Sequence, residues 1–264
     1  MEKCLLTKLK GNVDNNSLLK MGEMRARAHV TDEKQAFSAY YVSGTLSENA
    51  GAYIINDTGN NEFQKTNGKS IGKNVGNCAP NTVVRTSGVY DIIIKNKYEL
   101  EICQIPGCEI DLSEFKYCTQ LKEILIQGSF ATGHLSDVSS ILSTLRQFRA
   151  PFTTVSGDVS VFSNNTTFYE LWVNNVHSIT GNINAFNNSL VLNRLHIEGT
   201  QISGSLDTLA NAHVSRGRTT GSIQVYGNGI ITFKSNGDGT GSDTIISNNT
   251  IKTITFNDGG YNIA

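Results

Sequence analysis

Apolar residues recur along the middle of the chain with a period of 23 or 24 residues. The pattern has the form LxxLxI, in which the first, fourth and sixth positions are apolar. Copies begin at Leu121, Leu145, Phe168 and Leu192. Because alternate residues of a strand point to opposite faces, the fourth and sixth positions should face the core together, and the first should turn in from the preceding loop. The pattern predicts one short strand in each copy.

A second pattern runs in step with the first. A glycine, one further residue and an aliphatic residue recur at the same period, and the glycines are Gly133, Gly157, Gly181 and Gly204. We expect glycine there because the backbone must bend tightly where a Cβ would clash. Each glycine is followed by an apolar-x-x-apolar step, which suits one helical or 3₁₀ turn. No copy can bury its apolar stripe alone, so the copies should stack into one continuous core.

The period weakens at both ends of this region. A weak early copy begins near Lys97 and would place Leu100 and Ile102 at strand positions, and a late copy, IKTITF, begins at Ile251. Between about residues 214 and 249 the period is lost. The segment GSIQVYGNGIITFKSNGDGTG in that interval predicts one or two hairpins with glycine turns.

The first ninety residues do not fit the repeat and predict separate strands. Met24, Ala26, Ala28 and Val30 alternate with polar residues, which is strand periodicity. Further strands are predicted in AFSAYYVSGTL, AYIINDTG and TVVRTSGVYDIIIKN. Residues 60–81 are polar and glycine-rich, and they predict a long loop.

The repeated segments resemble leucine-rich repeats over roughly residues 97–212. GTQISGSL, HSITGNI and TVSGDV are similar to the second-strand segment of the longer repeats of that class. The resemblance implies a mainly β chain with a leucine-rich-repeat-like solenoid in residues 91–264, made of repeats at about 97–212 and an irregular β cap at 213–264. The alternative fold is a parallel β-helix, whose coils have a similar length.

The opening CLLTKLKGNVDNNSLLKMGEMR resembles the N-terminal segment of virion proteins of tailed phages that infect Bacteroidetes, including the crAss-like phages. That segment, of the form LTKLKGxVxNxSLxxxGEMR, precedes varied C-terminal modules on fibres and other surface proteins. The resemblance covers about the first 25 residues. It implies a small β-rich docking region in residues 1–90, contact with other virion proteins through residues 1–30, and a homotrimer displayed on the particle surface.

These resemblances together imply a non-enzymatic phage structural protein. It would be a head or tail fibre whose repeat domain is available for binding a host-surface receptor or glycan. Two alternatives remain open. One is a bacterial leucine-rich-repeat binding protein with an unrelated N-terminus, and the other is a β-helical glycan-processing enzyme.

Composition excludes some classes of partner. Charged residues make up 17 % of the chain, the net charge is −1, and basic residues form no run. We therefore expect no nucleic-acid partner. No apolar run approaches the roughly 20 residues that a membrane-spanning helix needs, so we expect no membrane insertion. The balance of 25 glycines against 3 prolines suits many short strands joined by polar turns.

Motifs for catalysis or metal binding are weak. The five cysteines are expected to be free thiols that pack as small apolar groups, and Cys103 with Cys108 makes only a weak zinc signal. KSNGDGTGSD is interpreted as a hairpin turn rather than a calcium loop. The column that follows the glycines is His134, Asp158, Asn182 and Ser205. It holds one carboxylate where sugar hydrolysis needs two. We predict no catalytic residue, cofactor or metal.

The outward positions of LxxLxI are the candidate binding residues. They should line the concave face of a leucine-rich solenoid, and the set is Arg149, Trp172, Arg194, His196 and Glu198. Arg149, Trp172 and His196 should lie side by side on three adjacent copies. Trp172 is the only tryptophan in the chain. Tryptophan and arginine are favoured interface anchors, and an exposed tryptophan suits a sugar face. The alternative role for Trp172 is a contact between subunits.

Overall fold

The computed structural model describes residues 23–30, 41–44, 51–56, 88–95, 97–128 and 130–264. The virion-docking motif up to residue 22 and the loop predicted at 60–81 lie outside the described residues. Within the described part the chain is mainly β, with parallel strands in its sheets.

Nineteen strands are present in the described residues: β1 (Glu23–Val30), β2 (Tyr41–Gly44), β3 (Gly51–Asn56), β4 (Gly88–Lys95), β5 (Leu100–Gln104), β6 (Cys108–Asp111), β7 (Glu123–Leu125), β8 (Ala131–Thr132), β9 (Gln147–Arg149), β10 (Gly157–Asp158), β11 (Glu170–Trp172), β12 (Ile179–Asn182), β13 (Arg194–His196), β14 (Gln201–Ser205), β15 (Ser222–Tyr226), β16 (Ile231–Lys234), β17 (Asp243–Ile245), β18 (Ile251–Asn257) and β19 (Gly260–Ile263). The helix α1 spans Leu206–Ser215. Short 3₁₀ helices span Lys97–Glu99, Leu112–Phe115, Leu135–Ile141, Val159–Phe162 and Ile183–Phe186.

The largest sheet collects one strand from each copy. Its nine strands run in the order β19-β18-β15-β13-β11-β9-β7-β5-β2. Strands β5, β7, β9, β11, β13 and β15 are parallel, and β2 and β18 pair antiparallel with the outermost of them. The second strands of the copies enter two smaller sheets: β6 and β8 lie at one end of the order β3-β4-β1-β6-β8, while β10, β12, β14 and β16 are parallel in the other, where β17 closes one edge antiparallel. The predicted strand of each LxxLxI copy is confirmed.

The apolar positions form one stacked core between these sheets. Leu192, Leu195 and Ile197 of one copy are fully buried, as predicted, and the equivalent residues of the other copies are buried as well. Phenylalanines form a ladder along the 3₁₀ side, where the ring centres of Phe162 and Phe168 are 4.6 Å apart. Contact with the copy before and the copy after therefore buries a stripe that one copy could not bury alone.

The repeat glycines lie where the sequence predicts a tight bend. Gly133, Gly157, Gly181 and Gly204 all have positive φ, between 103° and 130°. A Cβ on Gly181 would come within 2.5 Å of Asp158 Oδ1 in the preceding copy. This close approach arises because the residue after each of the first three glycines caps the 3₁₀ helix that follows it. The glycine of the next copy then lies against that capping residue.

Details at both ends of the repeat differ from the sequence prediction. In the early copy Cys103 and Ile105 are the buried strand positions, and Ile102 is half-exposed because it aligns with Glu123. One or two hairpins were predicted in residues 221–241, and one forms, between β16 and β17. Strands β15 and β16 do not pair with each other, since each extends a different sheet in parallel. The late copy at Ile251 forms β18, which is antiparallel to β15 and so does not continue the repeat.

The described N-terminal strands pair with strands of the repeat region: β2 joins the nine-stranded sheet, and β1, β3 and β4 share a sheet with β6 and β8. Strand β1 confirms the predicted alternation, with Met24 and Ala26 buried. It pairs with β4 and β6, while β3 pairs with β4 and β2 pairs with β5. The described strands on both sides of residue 90 therefore share hydrogen bonds.

Candidate binding site on the outward sheet face

The nine-stranded sheet presents two rows of side chains on the face opposite the core, which we call the outward face. The parallel register aligns Leu125, Arg149, Trp172, His196 and Tyr226 in the first row. The second row contains Glu123, Gln147, Glu170, Arg194 and Gln224. Each row places side chains about 4.8 Å apart along the sheet, which is the spacing between neighbouring strands.

An aromatic stack occupies the first row. The rings of Trp172 and His196 are 4.5 Å apart with an interplanar angle of 17°, and those of His196 and Tyr226 are 3.7 Å apart at 19°. On the other side, the guanidinium carbon of Arg149 lies 5.5 Å from the centre of the Trp172 ring. The indole Nε1 of Trp172 donates to Asn174 Oδ1.

The stack changes what Trp172 can offer a ligand. The sequence suggested an exposed ring face, but Arg149 covers one face and His196 covers the other. Trp172 is half-buried, and His196 is only 8 % exposed. Arg149 and His196 therefore leave mainly the edge of the Trp172 ring to face a ligand.

A buried carboxylate links the two arginines of the site. Glu170 is 1 % exposed. Its Oε2 accepts from Arg149 Nη2 at 2.7 Å, while its Oε1 lies 3.6 Å from Arg194 Nη1, beyond hydrogen-bond distance. A carboxylate so buried is stable only when it is paired, and here one oxygen is hydrogen-bonded and the other is not.

Buried polar atoms without partners concentrate in these side chains. Among the described residues, six buried side-chain nitrogen or oxygen atoms have no hydrogen bond. Five belong to the outward face: Arg149 Nε, Glu170 Oε1, Arg194 Nε, His196 Nε2 and Glu198 Oε2. Each such atom costs about 1–3 kcal/mol unless water or a ligand satisfies it.

Burial also sets the charge of the site. It lowers the pKa of His196 to about 4, and the positive charges of Arg194 and Arg149 act in the same direction against the opposing effect of Glu170. His196 is therefore neutral at pH 7. Burial raises the pKa of Glu198 above its usual value.

The structure brings four of the five predicted residues into direct contact: Arg149, Trp172, Arg194 and His196, joined by ring stacking and by Glu170. Glu198 follows His196 at the end of the strand and has an unpartnered oxygen. Sequence reasoning left out Glu170 and Tyr226. Glu170 occupies an outward position of the LxxLxI pattern, and its role as the ionic link between two copies depends on the strand register. Tyr226 lies in the segment that was predicted to form hairpins, although SIQVYG aligns with LNRLHI in the parallel register.

The other candidate groups have structural roles. His134, Asp158 and Asn182 each accept a hydrogen bond from the backbone N–H two residues on, so this column caps the 3₁₀ helices. Ser205 precedes α1 and makes no such bond. Cys103, Cys108 and Cys118 are buried free thiols, as expected.

The described part of the chain contains neither a cluster of side chains suited to a metal ion nor a long apolar helix. No group of three or more His, Cys, Asp or Glu side chains there is placed to hold a metal ion. No helix there is long and apolar enough to cross a membrane.

No protein-family model matches the chain, and no curated protein matches it in sequence. Function is therefore inferred from the residues themselves.

Proposed function

We propose that this chain is a non-enzymatic surface protein of a tailed phage. Its N-terminal residues attach it to the particle as a homotrimeric head or tail fibre. Its repeats form a leucine-rich-repeat solenoid whose outward face recognises the host surface. The attachment role rests on the motif in residues 1–25, and the recognition role rests on the outward face.

The repeat geometry supports the solenoid. Each copy contributes one strand to the large sheet and a second strand to one of the two smaller sheets, and then a 3₁₀ helix, or α1 in the copy that begins at Leu192, returns the chain. Leucine-rich repeats combine a strand with a helix or 3₁₀ segment in this way. The 3₁₀ segment supports this fold over the parallel β-helix.

The observation that carries the recognition role is the ordered cluster on the outward face. Arg149, Glu170, Trp172, Arg194 and His196 hold one another in place without using all of their hydrogen-bonding atoms. A surface already ordered before binding loses less conformational entropy when a partner arrives. Charged and aromatic residues in a fixed arrangement also suit an interface centre.

Particle location is tested with antibodies raised against the purified chain. We expect electron microscopy of whole particles to show labelling at the head or tail surface, and solution mass measurement to give a trimer. Absence of label on particles whose capsid proteins are detected would overturn the virion role.

Recognition is tested by competition. Purified chain added before the phage should slow adsorption to host cells, because it occupies the same receptors. The double variant Arg149→Ala with Arg194→Ala should lose this effect, whereas Arg146→Ala, which alters an exposed arginine on the same copy as Arg149, should keep it. Equal competition by all three proteins would contradict a role for the outward face.

A further inference from the structure

We infer that the outward face binds a neutral, polyhydroxylated ligand, such as an uncharged glycan, whose hydroxyl groups form hydrogen bonds with Arg149, Glu170, Arg194, His196 and Glu198. This inference rests on the proposed recognition role and adds the chemical class of the ligand.

The unpartnered atoms define the hydrogen bonds that the ligand must make. Arg149 Nε and Arg194 Nε are donors, while Glu170 Oε1 and Glu198 Oε2 are acceptors. A hydroxyl group both donates and accepts, so neighbouring hydroxyls of one ligand can satisfy a guanidinium and a carboxylate at once.

The charge balance favours a neutral ligand over a strongly charged one. Two arginines and two glutamates lie in the site, and the buried His196 is neutral at pH 7. The formal charge of the five side chains is therefore zero. An anion would approach Glu170 and Glu198, and a cation would approach the two arginines, so either would meet repulsion that a neutral ligand avoids.

The stacked rings leave no open ring face on Trp172 or His196 on which a sugar could stack, which is the usual way in which aromatic residues bind sugars. Arg149 and His196 cover the two faces of Trp172, and His196 itself lies between Trp172 and Tyr226. The ligand is therefore held by the planar charged groups rather than by a ring face. The aromatic stack positions His196 and Arg149 for this purpose.

Arg194 is the side chain that would move when the ligand binds. Its side chain is 36 % exposed, and its ion-pair contact with Glu170 Oε1 is 3.6 Å long. Arg149, in contrast, is tied to Glu170 by a 2.7 Å hydrogen bond. A small rotation of Arg194 would open Glu170 Oε1 to a ligand hydroxyl and leave the guanidinium free to donate to the next one.

Tetrasaccharides that differ in charge test the ligand class. Titration calorimetry would compare the full chain with mannotetraose and cellotetraose, which are neutral, with tetragalacturonate, which is anionic, and with a chitosan tetramer, which is cationic. We expect a neutral tetramer to bind at least about tenfold more tightly than either charged one, a difference of about 1.4 kcal/mol. Equal or tighter binding of a charged tetramer, or no binding of either neutral one, would overturn the inference.

Variants test the residues. Glu170→Gln and Arg194→Ala should each weaken binding of the neutral tetramer by about tenfold or more, since charged hydrogen bonds are the strong ones. Glu123→Gln is the matched control, because it removes the same charge from the same row outside the cluster and should change affinity less than about twofold. Circular dichroism would check the fold. If Glu170→Gln unfolds, Glu198→Gln replaces it. Unchanged affinity in a folded variant counts against the site.

Cell binding separates this inference from the proposed function. Periodate cleaves vicinal diols and should abolish binding of the chain to host cells, whereas protease treatment of the cells should not. If binding survives periodate but not protease, the partner is a protein. The recognition role would then stand and the ligand class would be wrong. The opposite outcome is that the chain binds neutral tetramers while the antibody labels no particle and the chain does not slow phage adsorption. In that case the ligand class stands and the proposed recognition role is wrong.

Discussion

Replacement of Gly181 by alanine is expected to be the most informative test of how the copies fit together. Gly181 has φ +109°, which side-chain-bearing residues rarely adopt. The strain of such a conformation is about 1–3 kcal/mol. The new Cβ would also lie 2.5 Å from Asp158 Oδ1, so that carboxylate must turn away.

Movement of Asp158 adds a second cost to Gly181→Ala. Its Oδ1 accepts from Ser160 N at 2.7 Å and caps the 3₁₀ helix of the preceding copy. Loss of a cap costs about 1 kcal/mol. The total expected loss in the free energy of unfolding is therefore about 2–4 kcal/mol.

Urea unfolding followed by the fluorescence of Trp172 measures this loss. Gly217→Ala is the matched control, because its φ is +88° but no atom lies within 4 Å of the added Cβ. It should show the strain alone. In an Asp158→Ala background, Gly181→Ala should cost about 1 kcal/mol less than in the natural chain. An equal cost in both backgrounds would refute the proposed contact between copies.

Two further predictions concern the core. His213 is fully buried, donates through Nε2 to the Phe186 carbonyl at 3.1 Å and accepts from Arg218 through Nδ1, and burial, with nearby arginines, lowers its pKa to about 4. Because the unfolded histidine takes up a proton near pH 6.5 and the folded one does not, stability is fully present above pH 6.5 and is lost as the pH falls toward 4. Urea midpoints at pH 7.5 and pH 5, compared between the natural chain and His213→Gln, measure how much of the pH-dependent stability comes from His213. An equal pH response in both proteins would contradict this role of His213. Phe162→Ala removes a fully buried ring from the phenylalanine ladder and should cost about 3–5 kcal/mol of unfolding free energy, whereas Phe152→Ala, at a ring 58 % exposed, should cost less than about 1 kcal/mol. Similar thermal shifts for the two phenylalanine variants would show that the ladder does not stabilise the core.

Much of the repeat could be predicted from the sequence, because its buried positions and bends depend on residues that are close together in the chain. The spacing of Leu192, Leu195 and Ile197 determines which side of the strand is apolar, and Gly204 marks a backbone shape that other residues rarely take. One copy alone carries little information, but repetition of the same positions at one period identifies the core. The buried positions and the 3₁₀ helix were predictable for this reason.

The direction of the late strands depended on tertiary structure. IKTITF has the apolar spacing of a repeat strand, yet it runs antiparallel to β15 as β18. Apolar spacing is the same for a strand read in either direction, so it cannot distinguish the two pairings. Tyr226 was hidden for a different reason, because α1 lengthens the preceding copy and the strand of Tyr226 therefore falls outside the period of 23 or 24 residues.

The sequence by itself determined which residues of each copy face the core and which face outward, since that depends on alternation along a single strand. Only the tertiary structure decided what the outward residues do to one another. Arg149, Glu170 and Arg194 come from three different copies and meet only when the strands align in register. Burial between neighbouring copies then covers the faces of Trp172, makes His196 neutral and leaves polar atoms unpaired. These properties arise from packing across strands, which alternation within one strand does not encode.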